Sequence, residues 1–178
     1  ALSIVLHSRS PFIPTFRSDV RIFFVQSSGE DSTTTRRTVA FFGGGADLTP
    51  YYLGKEDSED FFNDIVSFHN LYRDLSEQHP VEGFSYPTIK HLCDKYFYLP
   101  ARSEHRGTGG IFFDDMDADM PHAVDFVKGV AQTWMPSWLP IVEKRRNLTY
   151  SDQNKQWQLL RRGRYLEFNL LYDRGVAF

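Results

Sequence analysis

The sequence predicts an α+β domain built on one largely antiparallel sheet with helices on both faces. Three observations carry this. Two strand-like runs, 19–26 and 38–42, flank the polar stretch SSGEDSTTTRR at 27–37, which has the pattern of a hairpin and its tip. Between 58 and 72, the residues Phe61, Phe62, Ile65, Phe68, His69 and Tyr72 recur at helical spacing. From Tyr165 to Asp173 the alternation has period 2. Leu166, Phe168, Leu170 and Tyr172 fall on one strand face, and Tyr165, Glu167, Asn169, Leu171 and Asp173 fall on the other.

In chain order, 3–7 forms a first strand, and Pro11 and Pro14 mark an extended, turning segment behind it. The hairpin strands follow, the second ending at Gly43, Gly44 and Gly45, where tight turning and close approach of backbone to a ligand are possible. Ser58 caps the first helix, with Glu59 and Asp60 at the positive end of its dipole. A second helix runs from Pro87 to about Tyr98 with Ile89, Leu92, Cys93 and Tyr96 inward. A short strand is expected at 110–113. A third helix opens at Pro121 and ends near Pro136, a short helical piece covers 140–146, and another at 152–161 leads into the final strand. The run at Ala1 starts inside a strand pattern with no initiator methionine, and Phe178 follows closely on the last one. The expectation is therefore a single domain over 1–178, truncated at both ends.

The 178 residues suffice for one sizeable core, and an apolar share of 41% excludes a disordered chain. A net charge of -3 disfavours nucleic acid and anionic membranes as partners. The lone Cys93 excludes an internal disulfide and suits a reducing compartment, with the thiol as a small apolar filler. No apolar run reaches membrane-spanning length, so no integral membrane segment is expected. The aromatic share, 16%, suits a flat ligand and a thick core equally.

The chemistry concentrates near the C-terminus. Arg161, Arg162 and Arg164 precede the alternating run and Arg174 follows it. Guanidinium groups grip carboxylates in a two-pronged fork, so this stretch suits a wall that holds a polyanionic small molecule. Taken alone, Asp173 and Arg174 are equally a turn and an ion pair closing a strand. Asp47, after the glycines, either faces a ligand or braces the turn. The glycines are no phosphate loop, because no Lys-Ser/Thr follows them. Asp114, Asp115, Asp117 and Asp119 lack the glycine and terminal glutamate of a calcium loop and are expected in a solvated loop. The segment Arg102 to Gly110 either covers a site mouth or is a surface loop.

RRGRYLEFNLLYDRG at 161–175 resembles the signature of oxygen-dependent coproporphyrinogen III oxidases, and four further segments agree in the same order. These are SIVLH at 3–7 with 11–21, FGGGADLTPYY at 42–52, CDKYF at 93–97 and RGTGGIFFDD at 106–115. The resemblance spans nearly the whole chain. It implies oxidative decarboxylation of two propionates of coproporphyrinogen III to vinyls, with molecular oxygen as co-substrate, no organic cofactor and no required metal. It implies Asp173, Arg174 and Asp47 as catalytic residues, and Ser3, Asp19, Arg21 and Arg174 as substrate-binding residues. It further implies a homodimer, in the cytoplasm or the mitochondrial intermembrane space. His7 and His69 retain two family histidines, whereas Arg17 and Ala101 stand where the family has two more, and Asp19 replaces the usual asparagine. Two histidines make no metal site, so His7, Arg17 and His69 are secondary candidates. A non-catalytic tetrapyrrole carrier is the alternative.

Overall fold

The computed structural model describes residues 1–26, 38–52 and 59–174. The expected hairpin tip at 27–37, the cap at Ser58 and the last four residues lie outside them. A four-stranded antiparallel sheet is built from β1 (Leu2–Leu6), β2 (Thr15–Gln26), β3 (Thr38–Thr49) and β6 (Gly109–Asp117), in the order β1-β2-β3-β6. A small second pairing joins β4 (Tyr98–Leu99) to β5 (Glu104–His105). The helices are α1 (Glu59–Gln78), α2 (Tyr86–Tyr96), α3 (Ala123–Arg145) and α4 (Asp152–Leu171).

Strand alternation divides the sheet into two faces. On one, Phe16, Ala46, Leu48, Ile111, Phe113 and Met116 pack with Phe68 and Tyr72 of α1 and with Phe126, Val130 and Trp134 of α3. On the other, Phe112 packs with Cys93 of α2, with Phe97 just beyond it and with Phe168 of α4. Helices therefore cover both faces, as the sequence predicts. Burial holds the Cys93 thiol well above its usual pKa, in keeping with a filler.

Several expectations change. The glycines do not end β3. The strand runs through them to Thr49, because their missing side chains let neighbouring groups close in from both sides. Asp114, Asp115 and Asp117 belong to β6, not to a loop. Phe62 and Leu92, expected inward, are exposed. The third helix does not stop at Pro136. α3 continues through Pro136 and Pro140, both on its solvent side with Gln132, so the carbonyls left without an amide partner face water.

The largest correction concerns 165–171, which continues the helix and is not strand. Ser151 and Asn154 form a reciprocal capping box that starts α4, with Ser151 Oγ accepting from Asn154 N at 3.2 Å and Asn154 Oδ1 accepting from Ser151 N at 2.9 Å. Arg, Leu, Glu and Gln then propagate the helix at little cost. Gln158, Tyr165 and Phe168 turn inward at spacings of seven and three, while Leu166 and Leu170 lie exposed. A short alternating run fits either period, and here the cap upstream decides. Among the described residues no helix is long and apolar enough to cross a membrane.

Candidate active site

The second sheet face carries the site. Arg17, Asp19 and Arg21 alternate along β2 and all point to it. β1 sets Ser3 opposite Asp19, and β3 sets Asp47 opposite Arg17. On β6, Phe112 and Asp114 share the face. Gly45 and Gly43 stand opposite Asp19 and Arg21. A Cβ on Gly43 would come within 2.5 Å of Asp114 Oδ1 and 3.1 Å of Arg21 Nη2, and one on Gly45 within 3.4 Å of Arg17 Nη1. The bare strand is therefore what lets two guanidiniums lie flat across the sheet. Tyr96 at the end of α2, and Asp173 and Arg174 just after α4, form the far wall. The cleft encloses about 480 Å³ and is lined by Ala1, Ser3, Arg17, Asp19, Arg21, Tyr96, Phe112, Asp114, Asp173 and Arg174.

Charges alternate across its floor. Arg106 Nη2 donates to Asp47 Oδ1 at 2.5 Å, and both side chains are almost fully buried. Asp47 Oδ2 lies 3.8 Å from Arg17 Nη1. Arg17 Nη2 meets Asp19 Oδ1 at 2.6 Å, Arg21 Nε meets Asp19 Oδ2 at 3.1 Å, and Arg21 Nη2 reaches Asp114 at 3.8 Å. Burial alone would lower the pKa of Arg17, but the carboxylates of Asp47 and Asp19 outweigh it and raise the value. The aromatic groups support the cations. Arg106 stacks on Phe97 at 3.8 Å and faces Tyr165 at 4.3 Å, Arg17 lies over Phe97 at 5.4 Å, and Arg174 over Tyr96 at 5.1 Å. The Tyr96 hydroxyl donates to Asp173 Oδ1 at 2.8 Å. Burial and that carboxylate raise the phenol pKa, so it stays a donor at neutral pH.

Ser3, Asp19, Arg21, Asp173 and Arg174 thus converge on one cleft from two strands and the far end of the chain, and Arg17 joins them. Asp47 lies beneath its floor, 2% exposed, and reaches the cleft through Arg17. His7 hydrogen-bonds Thr15 at 3.0 Å and stands edge-on to Tyr165, outside the cleft lining. Burial, then Arg162 and Arg106, lower its pKa. His69 binds the Tyr86 hydroxyl at 2.9 Å against the other core, where burial and then Lys90 bring its pKa down to about 4. Arg161, Arg162 and Arg164, the first candidates for the polyanion wall, are engaged elsewhere. Arg161 and Arg164 hold Glu104 at 3.1 and 2.7 Å, and Arg162 binds Tyr51 and the Ser8 carbonyl. The period-2 reading had placed them at the strand's mouth, whereas a helix turns them onto other faces. Among the described residues no group of three or more His, Cys, Asp or Glu side chains is arranged to hold a metal ion.

Two participants escape the sequence reading. Arg106, taken as mouth or surface, is the buried cation behind Asp47. Asp114, taken as a solvated residue, lines the cleft. Asp114 was detectable, because it lies two positions after Phe112 on the same strand face. Arg106 gave no local signal, since glycines follow it and it is enclosed by Phe97, by Asp47 of β3 and by Tyr165 and Phe168 of α4.

A model of the family described as coproporphyrinogen III oxidase matches residues 1–178. The chain belongs to that family. The chain is 43% identical over 178 residues to the oxygen-dependent coproporphyrinogen-III oxidase of Francisella philomiragia, covering 99% of this chain and 53% of that protein. Its identity to the protein of the same name from Francisella tularensis subsp. holarctica strain OSU18 is 42%, with the same coverage. The chain spans about half the length of these curated relatives. In this member of the coproporphyrinogen III oxidase family the cleft has balanced charge, with three arginines and three aspartates in its lining. An anionic ligand can bind there by exchanging partners with the aspartates, with no vacant positive patch required.

Proposed function

We propose that the protein containing this chain oxidises coproporphyrinogen III with molecular oxygen, converting two propionates to vinyls and yielding protoporphyrinogen IX in haem biosynthesis. The observation that carries the reading is the convergence of Arg17, Arg21 and Arg174 with Asp19 and Asp173 on one 480 Å³ cleft, in a chain of this family. At each propionate the carboxylate leaves as carbon dioxide. The methylene next to the ring gives up a proton, and two electrons pass to oxygen, which takes up that proton and one from solvent to become hydrogen peroxide. Arg21 and Arg174 hold ligand carboxylates in their forks. Asp173, oriented by the Tyr96 hydroxyl, accepts hydrogen bonds from pyrrole N–H groups and takes a proton, which makes the ring electron-rich enough to give up electrons. Asp47 acts from beneath, through Arg17. Ser3 offers a hydroxyl at the rim. The tyrosine and phenylalanine faces of the wall match a flat macrocycle and exclude water, which favours loss of carbon dioxide. Oxygen is the only co-substrate this scheme uses. The family resemblance further supports a homodimer working in the cytoplasm.

The test uses full-length protein treated with a chelator, coproporphyrinogen III as substrate, and chromatography of the products after incubation in air and under nitrogen. Protoporphyrinogen formed in air alone is the expected result. Substrate bound without product, and no recovery on adding Mn²⁺, would identify a tetrapyrrole carrier instead.

A further inference from the structure

Arg17 and Asp19 sit two apart on β2, a central strand fixed by β1 and β3 on either side, so their side chains share one face and meet at 2.6 Å without a search. Ion contacts along the floor are not equally tight, and Arg17 itself stands 3.8 Å from Asp47. Arg106 and Asp47 are 2.5 Å apart with side chains 2% and 3% exposed, whereas Arg21 and Asp114 are 3.8 Å apart with side chains 26% and 38% exposed. A ligand carboxylate displaces the partner that is held loosely and wetly, not the one held tightly and dry. Arg17 lies between these limits, braced by the Phe97 ring and facing two carboxylates at once.

We propose that Arg17 and Asp19 act as one positioning unit, in which the Arg17 guanidinium compensates Asp19 and Asp47 together and leaves Arg21 and Arg174 to exchange their partners for ligand carboxylates. The role in turnover rests on the oxidase reading above. The pair itself does not. Arg17→Gln takes away one of the two cations that face each carboxylate, leaving Asp47 to Arg106 and Asp19 to Arg21, so Arg21 is held back and the excess negative charge repels an incoming tetracarboxylate. Asp19→Asn releases the Arg17 fork, which then captures a ligand carboxylate in the wrong place. Removing both charges removes both faults.

The experiment is a double-mutant cycle in the full-length protein, with Arg17→Gln, Asp19→Asn and the pair, each checked for folding by circular dichroism. Two readouts are used: turnover of coproporphyrinogen III in air, and binding of coproporphyrin III followed by its fluorescence. Arg17→Gln is expected to raise KM and weaken binding roughly tenfold, and Asp19→Asn to lower kcat roughly tenfold with KM little changed. The pair should recover most of both losses. Arg17→Lys, which keeps the charge without the fork, should lose least, and it serves as the test if a charge-removing variant fails to fold. Losses that multiply in the double variant, or binding indifferent to Arg17→Gln, would overturn the proposal even with normal wild-type turnover. Wild-type protein that binds coproporphyrin III but makes no product would sink the oxidase reading alone, with the binding cycle still deciding the pair. Wild-type protein that does neither overturns both.

Discussion

Asp173 and Arg106 show how differently two ionised side chains serve one cleft. Asp173 sits half-buried after α4, with the Tyr96 hydroxyl on one oxygen, open to a ligand and not embedded in the core. Replacing it with Ala removes the proposed proton acceptor without opening a cavity. We expect kcat/KM to fall by about 100-fold or more with an unchanged circular dichroism spectrum, and unchanged turnover would remove Asp173 from the mechanism. Arg106 is embedded, with Phe97, Tyr165 and Phe168 around it and Asp47 at its tip. Arg106→Met keeps the stem packing and strips the cation, leaving a buried carboxylate that only Arg17 approaches, at 3.8 Å. Breaking one side of such a pair costs about 3–5 kcal/mol, to be read as a lower urea midpoint. A midpoint within experimental error of wild type would show that the pair contributes nothing net.

At the scale of elements, α4 matters most, because Phe168 on its inner face packs with Phe97 and Phe112 and its end delivers Asp173 and Arg174 to the cleft. Its register depends on where it starts. The Ser151 and Asn154 box supplies both reciprocal bonds at that end, so Ser151→Ala should destabilise the protein by about 1 kcal/mol in urea. If the hydroxyl were idle, the midpoint would not move. The same element marks the limit of pattern reading. Leu166, Phe168, Leu170 and Tyr172 alternate as a strand would, yet the positions that α4 buries are Gln158, Tyr165 and Phe168. Alternation over a few residues is weak evidence when a capped helix feeds directly into it. β3 shows a similar limit. Three successive glycines suggest a turn, but here β3 runs on through them, with a register shift against β6 between Phe42 and Gly44, and they leave room for guanidiniums lying across it from β2.

For the molecule as a whole, stability should carry a proton linkage through His69. Burial, then Lys90, lowers its folded pKa from 6.5 to about 4, so between those values the unfolded chain binds the proton more readily than the native state does. Stability from this source is complete above pH 6.5 and is lost as the pH falls toward 4. Urea midpoints at pH 7 and pH 4.5 should therefore differ more in wild type than in His69→Gln. Equal differences would show that His69 is not the group responsible. The sequence by itself determined the α+β class, the first three strands and the first two helices, because periodicity is a local property of a chain, and its family resemblance pointed to Ser3, Asp19, Arg21, Asp173 and Arg174, which line one cleft. Only the tertiary structure decided that 165–171 is helical, that Arg161, Arg162 and Arg164 turn away from the cleft, that Asp47 lies beneath it, and that Arg106 is the buried counter-charge of Asp47. Each of those outcomes depends on which distant side chains surround a group and exclude water from it. Burial and charge pairing are properties of neighbours in space, and no spacing along the chain encodes them.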